Sequence, residues 1–95
     1  MALQFQGFSA TAQLVSGPIT NNPGIVYSGY TTDVDLTVPG AKPDRFYLVV
    51  APSLEANLGI VNTYCPSNDI VRIRLGNFSV GNIDPGSQTF YVLGM

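Results

Sequence analysis

The chain has no histidine, no tryptophan and one cysteine, Cys65, in 95 residues. Without histidine it lacks the commonest general base and the commonest zinc ligand. A single cysteine cannot close an intramolecular disulfide or join a Cys–His catalytic pair. These absences predict no catalytic residues, no metal site and no cofactor, so the protein is not expected to be an enzyme. Cys65 follows an apolar run and is interpreted as a buried free thiol.

Basic residues are also scarce. The only four are Lys42, Arg45, Arg72 and Arg74, and the net charge is −2. Nucleic-acid binding requires clustered cations to neutralise phosphates, so no nucleic-acid partner is expected. No apolar run reaches the 18 or so residues that span a bilayer, and the N-terminal residues lack the basic and apolar regions of a secretory signal. We therefore expect a protein made in a cytoplasm that does not span a membrane.

Charge is absent from the first third of the chain, since Asp33 is the first charged residue. An average sequence would place about eight charges in residues 1–32. Because the whole chain is 45% hydrophobic and only 11% charged, we expect part of its surface to be buried between subunits, in a homotrimer or another symmetric oligomer. The candidate interface residues are Leu3, Phe5, Phe8, Leu14 and Val15, on an arm or edge strand that joins a neighbour. Alternatively, this segment supplies two strands of its own domain.

Proline and glycine interrupt the chain at short intervals, and no amphipathic helical stripe is present. Short apolar or alternating runs lie between these turn residues, which is typical of all-β proteins. The sequence predicts a single domain over residues 1–95, an antiparallel β-sandwich or barrel of about seven or eight short strands. Within it, residues 1–32 form the uncharged N-terminal arm or edge segment and residues 33–95 form the core β-module.

Individual strands can be predicted from their periodicity. Residues 32–38 alternate, with Val34, Leu36 and Val38 on the inner face. Residues 45–51 are almost continuously apolar, which predicts a central strand covered on both sides. Residues 53–57 are predicted to form one helical turn capped by Ser53. The other predicted strands are 58–65, 69–75 (Val71, Ile73 and Leu75 inward) and 88–93, with weaker candidates at 3–8, 11–15 and 25–30.

Two sets of side chains suggest binding or chemistry. Asp33 and Asp35 share one strand face, as do Arg72 and Arg74 at the same spacing. A glycosidase-like carboxylate pair would need a cleft, so we favour cross-strand ion pairs on a solvated face. A sugar-binding platform of tyrosines is a further alternative, although tyrosine is also a common strand residue. These tyrosines are Tyr27, Tyr30, Tyr47, Tyr64 and Tyr91.

The order of segments from Val34 to Leu93 is informative. Residues 36–44 read Leu-Thr-Val-Pro-Gly-Ala-Lys-Pro-Asp. They are followed by an apolar run, a Pro-Ser-Leu link at 52–54, an Arg-Leu and Asn77 hairpin and an Asp84-Pro85 turn. This pattern resembles a small β-module of tailed-phage structural proteins, although Pro43-Asp44 stands where that pattern often has Gly-Asp.

The resemblance implies a virion structural protein, made in the host cytoplasm and located on the capsid surface. Its expected role is capsid decoration or cement, with the major capsid protein as partner. A tail-fibre, spike or baseplate subunit is the alternative within this class, and a small carbohydrate-binding or adhesion domain is the alternative outside it.

Overall fold

The computed structural model describes the backbone of residues 2–5, 8–11 and 13–94, and side chains from residue 13 to residue 94. Eight strands follow one another along the chain. They are β1 (Ala2–Phe5), β2 (Phe8–Thr11), β3 (Gln13–Asn21), β4 (Thr31–Thr37), β5 (Tyr47–Val50), β6 (Leu58–Ser67), β7 (Ile70–Asn77) and β8 (Gln88–Gly94).

Six of these strands form two antiparallel sheets. The first sheet has the order β3–β8–β5 and the second has the order β4–β7–β6. β1 and β2 form a separate two-stranded hairpin, which pairs with neither sheet within the described residues. The predicted all-β class is confirmed, and the arrangement is consistent with a small β-sandwich. Its two sheets hold fewer strands than predicted, because the hairpin accounts for the other two.

The core lies between the two sheets. Alternate residues of the central strands β7 and β8 point inward, and Ile73, Leu75, Phe90 and Val92 have no solvent exposure. The predicted inward positions of β4 and β7 are confirmed by this burial. Cys65 is also buried as a free thiol, and its sulfur donates to the carbonyl of Ser67 at 2.9 Å. The hydrophobic pattern of these strands therefore determines which face enters the core.

The predicted central strand at 45–51 is wrong. β5 spans only Tyr47–Val50 and is an edge strand that pairs with β8 alone. Tyr47 and Val49 turn toward the core, whereas Leu48 and Val50 point outward and are about half exposed. A continuous apolar run indicated two buried faces, but the second face has no covering layer within the described residues.

Three local predictions also differ from the structure. Residues 53–57 form no helical turn, because two successive turns carry the chain from β5 to β6, with hydrogen bonds from Leu54 N to Ala51 O and from Leu58 N to Glu55 O. Residues 25–30 form no strand, and only Val26 bridges to Ile83. The candidates at 3–8 and 11–15 are divided differently, since β1 ends at Phe5 and β2 begins at Phe8.

Gly17 is a position that requires glycine. Its φ is +138°, and a Cβ there would lie 2.8 Å from Cδ1 of Tyr91 and 3.1 Å from the carbonyl of Phe90. We expect Gly17→Ala to lower the free energy of unfolding by about 1–3 kcal/mol, through strain and overlap with β8. Urea denaturation measures this loss. Gly81→Ala is the matched control, because no atom lies within 4 Å of its Cβ position. Equal effects of the two substitutions would contradict the prediction.

Candidate interaction surfaces

Charged side chains occupy the outer face of the second sheet. β4 and β7 place Asp33 opposite Arg74 and Asp35 opposite Arg72. Arg74 Nε donates to Asp33 at 3.0 Å, and Arg72 donates to both oxygens of Asp35, at 2.6 Å from Nε and 3.1 Å from Nη2. The predicted cross-strand ion pairs are confirmed. This face is a solvated one whose carboxylates are held by guanidinium groups.

The Asp35–Arg72 pair should make stability depend on pH. The hydrogen bond from Arg72 lowers the pKa of Asp35 below its ordinary value. A lowered folded-state pKa adds stability above the unfolded-state pKa, and this stability is lost as the pH falls through the folded-state value. We therefore expect Asp35→Asn to reduce the loss of stability between neutral and strongly acidic pH. The effect should be small, because the pair is partly exposed. Urea midpoints at several pH values test it, with Asp44→Asn as control, and an unchanged pH profile would contradict it.

The outer face of the first sheet, in contrast, carries no charge. Strand pairing brings Leu14, Leu93 and Leu48 side by side across β3, β8 and β5, with Val50 beside Tyr91. Leu14, Leu48 and Val50 are 58%, 45% and 46% exposed. We call this surface the uncharged face, and its residues are Leu14, Thr20, Leu48, Val50, Thr89, Tyr91 and Leu93. Clustered exposed apolar side chains of this kind mark interaction sites.

A second apolar surface lies where β4 and β6 begin and β7 ends. Two loops, residues 22–30 and 78–83, meet there, and we call this surface the loop end. Its exposed apolar side chains are Ile25, Tyr27, Tyr30, Phe78 and Val80. The Phe78 ring lies against Gly59 and Gly76, where an added Cβ would come within 3.0 Å of the ring. The absence of side chains at these two glycines lets the ring lie there.

Asn77 holds the loop end together. This side chain is only 2% exposed, and its amide group donates to the carbonyls of Val26 at 2.8 Å and Gly81 at 2.9 Å. Its oxygen accepts hydrogen bonds from the backbone N–H and the hydroxyl of Ser79, at 2.9 and 2.8 Å. A buried amide whose hydrogen bonds are satisfied fixes the groups around it. The aromatic residues of both loops are therefore presented on an ordered framework.

Further hydrogen bonds join the two loops. The backbone N–H of Ser28 donates to the side chain of Asn82 at 3.0 Å, and the hydroxyl of Ser28 donates to the carbonyl of Ser79 at 2.6 Å. Val26 and Ile83 exchange two backbone hydrogen bonds. The loops thus form one unit despite their separation in sequence. Ordered aromatic anchors bind partners at a low entropic cost.

A groove lies at the opposite end of the molecule from the loop end. It has a volume of about 540 Å³, and Val15, Lys42, Arg45 and Tyr47 contribute to its walls. The Tyr47 hydroxyl accepts a hydrogen bond from the backbone N–H of Lys42 at 3.1 Å. Neither Lys42 nor Arg45 forms an ion pair with any carboxylate among the residues described. The groove is therefore a basic opening beside the start of β3.

The predicted interface residues fall into three places. Leu14 lies on the uncharged face, and Val15 lines the groove. Leu3 belongs to β1, and Phe5 and Phe8 are paired across the hairpin. The five tyrosines do not form one platform, since Tyr27 and Tyr30 lie at the loop end, Tyr47 is buried, Tyr64 is beside Arg72 and Tyr91 is on the uncharged face.

The loop end was not predicted from the sequence. The sequence feature that could have indicated it is the run Asn77-Phe78-Ser79-Val80-Gly81-Asn82, in which two large apolar residues stand inside a polar turn segment. These two residues lie just after the end of β7 and do not continue its alternation, so that pattern assigns them no core position. Phe78 is 71% exposed and Val80 is fully exposed, and clustered exposed apolar side chains are a feature of interaction sites.

No protein-family model, curated protein or solved structure matches this chain. In the described ranges, no helix is long and apolar enough to cross a membrane. Among these same residues, no three carboxylate or thiol side chains are grouped as metal ligands.

Proposed function

We propose that this protein is a virion structural protein that decorates a capsid and cements its lattice. In this role it associates with its own copies, as a trimer or another symmetric oligomer, and binds the major capsid protein. It is made in the host cytoplasm and resides on the capsid surface. The observation that carries the proposal is the presence of two uncharged apolar surfaces on one small domain, the uncharged face and the loop end.

Two separate surfaces suit a protein that joins two kinds of neighbour. The uncharged face is a sheet surface, extended enough to receive another β-element. The loop end is narrower and carries aromatic side chains, which are the typical anchors at the centre of an interface. We assign the uncharged face to contacts between copies and the loop end to the capsid shell. The ion-paired face of the second sheet remains in contact with solvent.

The binding energy in this role comes from buried apolar area. Each square ångström removed from water stabilises the contact by about 25 cal/mol before the costs of association. One loop end by itself is small and binds the capsid shell with modest affinity. An oligomer that presents several loop ends to a symmetric lattice gains avidity, because each further contact forms at a high effective concentration.

Co-sedimentation with capsids assembled without this protein tests the proposal. We expect the wild-type protein to bind, and Tyr30→Ser to weaken binding at least about tenfold, which corresponds to about 1.4 kcal/mol. Phe46→Ser is the matched control, because Phe46 is 77% exposed and Tyr30 71%, but Phe46 lies outside the loop end. Absence of wild-type binding to capsids, or binding to tails instead, would overturn the capsid assignment.

A carbohydrate-binding or adhesion role is the second candidate, favoured by the exposure of Tyr27 and Tyr30 at the loop end. Tyrosine faces pack against sugar rings, and the ordered loops would hold them in place. A glycan array distinguishes this role from a purely structural one. Specific binding that Tyr30→Ser abolishes would favour it, and an array without signal would exclude the sugars tested.

A further inference from the structure

The two faces of the β1–β2 hairpin differ in composition. Its register pairs Leu3 with Ala10 and Phe5 with Phe8, and residues paired across an antiparallel ladder lie on the same face. One face of the hairpin therefore holds only apolar positions. The other face holds the pairs Ala2–Thr11 and Gln4–Ser9. A hairpin with one apolar face requires a surface to cover that face, since two strands alone are marginally stable in water.

The uncharged face matches the hairpin in chemistry and in size. Both surfaces lack charge, so packing them together leaves no buried ion. The hairpin has two strands of four residues, so it is about 13 Å long and its two strand axes are about 5 Å apart. The first sheet has three strands, and its two outer strand axes are about 10 Å apart. The part of the face around Leu48, Val50 and Leu93 is large enough to receive the hairpin.

The same chain cannot supply this hairpin to its own face. Only residue 12 separates the end of β2 at Thr11 from the start of β3 at Gln13. Two Cα–Cα steps reach at most about 7 Å, whereas sheets packed face to face are about 10 Å apart. Because β3 belongs to the first sheet, the hairpin cannot lie flat over the face of that sheet. A hairpin that covers this face therefore comes from another molecule.

We propose that the hairpin of one copy packs its Leu3, Phe5, Phe8 and Ala10 face on the uncharged face of a second copy. Each copy then donates one hairpin and receives one. Reciprocal donation closes a dimer, and donation to the next copy closes a ring such as a trimer. This inference rests on the proposed function, because it names the occupant of the surface assigned there to contacts between copies.

Charge placed on the uncharged face tests the exchange. We expect wild-type protein to sediment as an oligomer at micromolar concentration, and Val50→Glu to weaken self-association at least about 100-fold, because a buried carboxylate would have no partner. Val61→Glu is the matched control and should remain oligomeric, since Val61 is 49% exposed, like Val50 at 46%, but lies in β6 of the second sheet. A monomeric wild type, or equal effects of both substitutions, would overturn the inference.

Cysteine cross-linking identifies the hairpin as the occupant. Chains carrying Phe5→Cys are mixed with chains carrying Val50→Cys and oxidised, while Cys65 stays buried. We expect a disulfide between the two different chains, and none when Val61→Cys replaces Val50→Cys. An oligomer without this cross-link would overturn the hairpin exchange. A monomeric protein that still binds capsids would overturn the exchange and self-association but leave capsid binding standing, and an exchanged oligomer that binds no capsid would overturn the capsid role alone.

Discussion

Asn77→Ala should lower the free energy of unfolding by about 3 kcal/mol, because it removes four hydrogen bonds made by one buried side chain and leaves the space of that side chain empty. The wild-type side chain donates hydrogen bonds to the carbonyls of Val26 and Gly81 and accepts hydrogen bonds from the N–H and hydroxyl of Ser79. Urea denaturation measures the loss. Asn82→Ala is the control, since that residue is exposed and accepts one bond from Ser28. A loss below about 1 kcal/mol, the size of a single ordinary hydrogen bond, would contradict the organising role of Asn77.

The same substitution links the fold to the proposed site. Asn77 fixes the two loops that present Tyr27, Tyr30 and Phe78, but its own side chain is buried. We expect Asn77→Ala to weaken capsid binding under conditions where the protein remains folded, because the aromatic residues would lose their fixed arrangement. Asn82→Ala should retain most of this binding.

Phe90→Ala should destabilise the protein by about 4 kcal/mol, since it creates a cavity between the sheets. Phe90 lies in the central strand β8 with no solvent exposure. The matched control, Phe46→Ala, removes the same atoms from a side chain that is 77% exposed and should change stability by no more than about 0.5 kcal/mol. Phe90→Leu, expected to cost about 1.5 kcal/mol, keeps the test informative if the alanine variant does not fold. Similar losses at both phenylalanines would contradict the placement of the core.

The fold class and much of the core could be predicted because strand alternation reports burial directly. Val34 and Leu36 alternate with Asp33 and Asp35, and the structure places the first pair inside and the second pair opposite arginines. The same alternation cannot report what covers a sheet. The apolar run through Leu48 and Val50 indicates a covered central strand, whereas β5 is an edge strand and nothing covers its outer face in the part of the chain that the structure describes.

The candidate site could be predicted only in part. Leu14 was identified from its uncharged, apolar surroundings, and the structure places it on the uncharged face. The loop end depends on Asn77, whose hydrogen bonds reach Val26, 51 residues away in sequence. No local pattern contains that contact, because loop packing is set by partners that are distant along the chain. Tertiary geometry was needed to bring Tyr30 and Phe78 to the same end of the molecule.

The charge-free stretch of residues 1–32 contributes to every apolar surface described above. It supplies the hairpin β1–β2, Leu14 of the uncharged face, and Tyr27 and Tyr30 of the loop end. A charged side chain at any of these places would raise the free-energy cost of burying that surface against a partner. Under the proposed function, the missing charges follow from contact with partners on several sides of one small domain.

Cryo-electron microscopy of the virion tests the central claim, that this protein is a subunit joining its own copies to a capsid shell. We expect density for the chain at symmetry positions of the head lattice, with the loop end containing Tyr30 against the shell and the uncharged face containing Val50 against another copy. Heads without this density, or the protein located only in the tail, would contradict the claim.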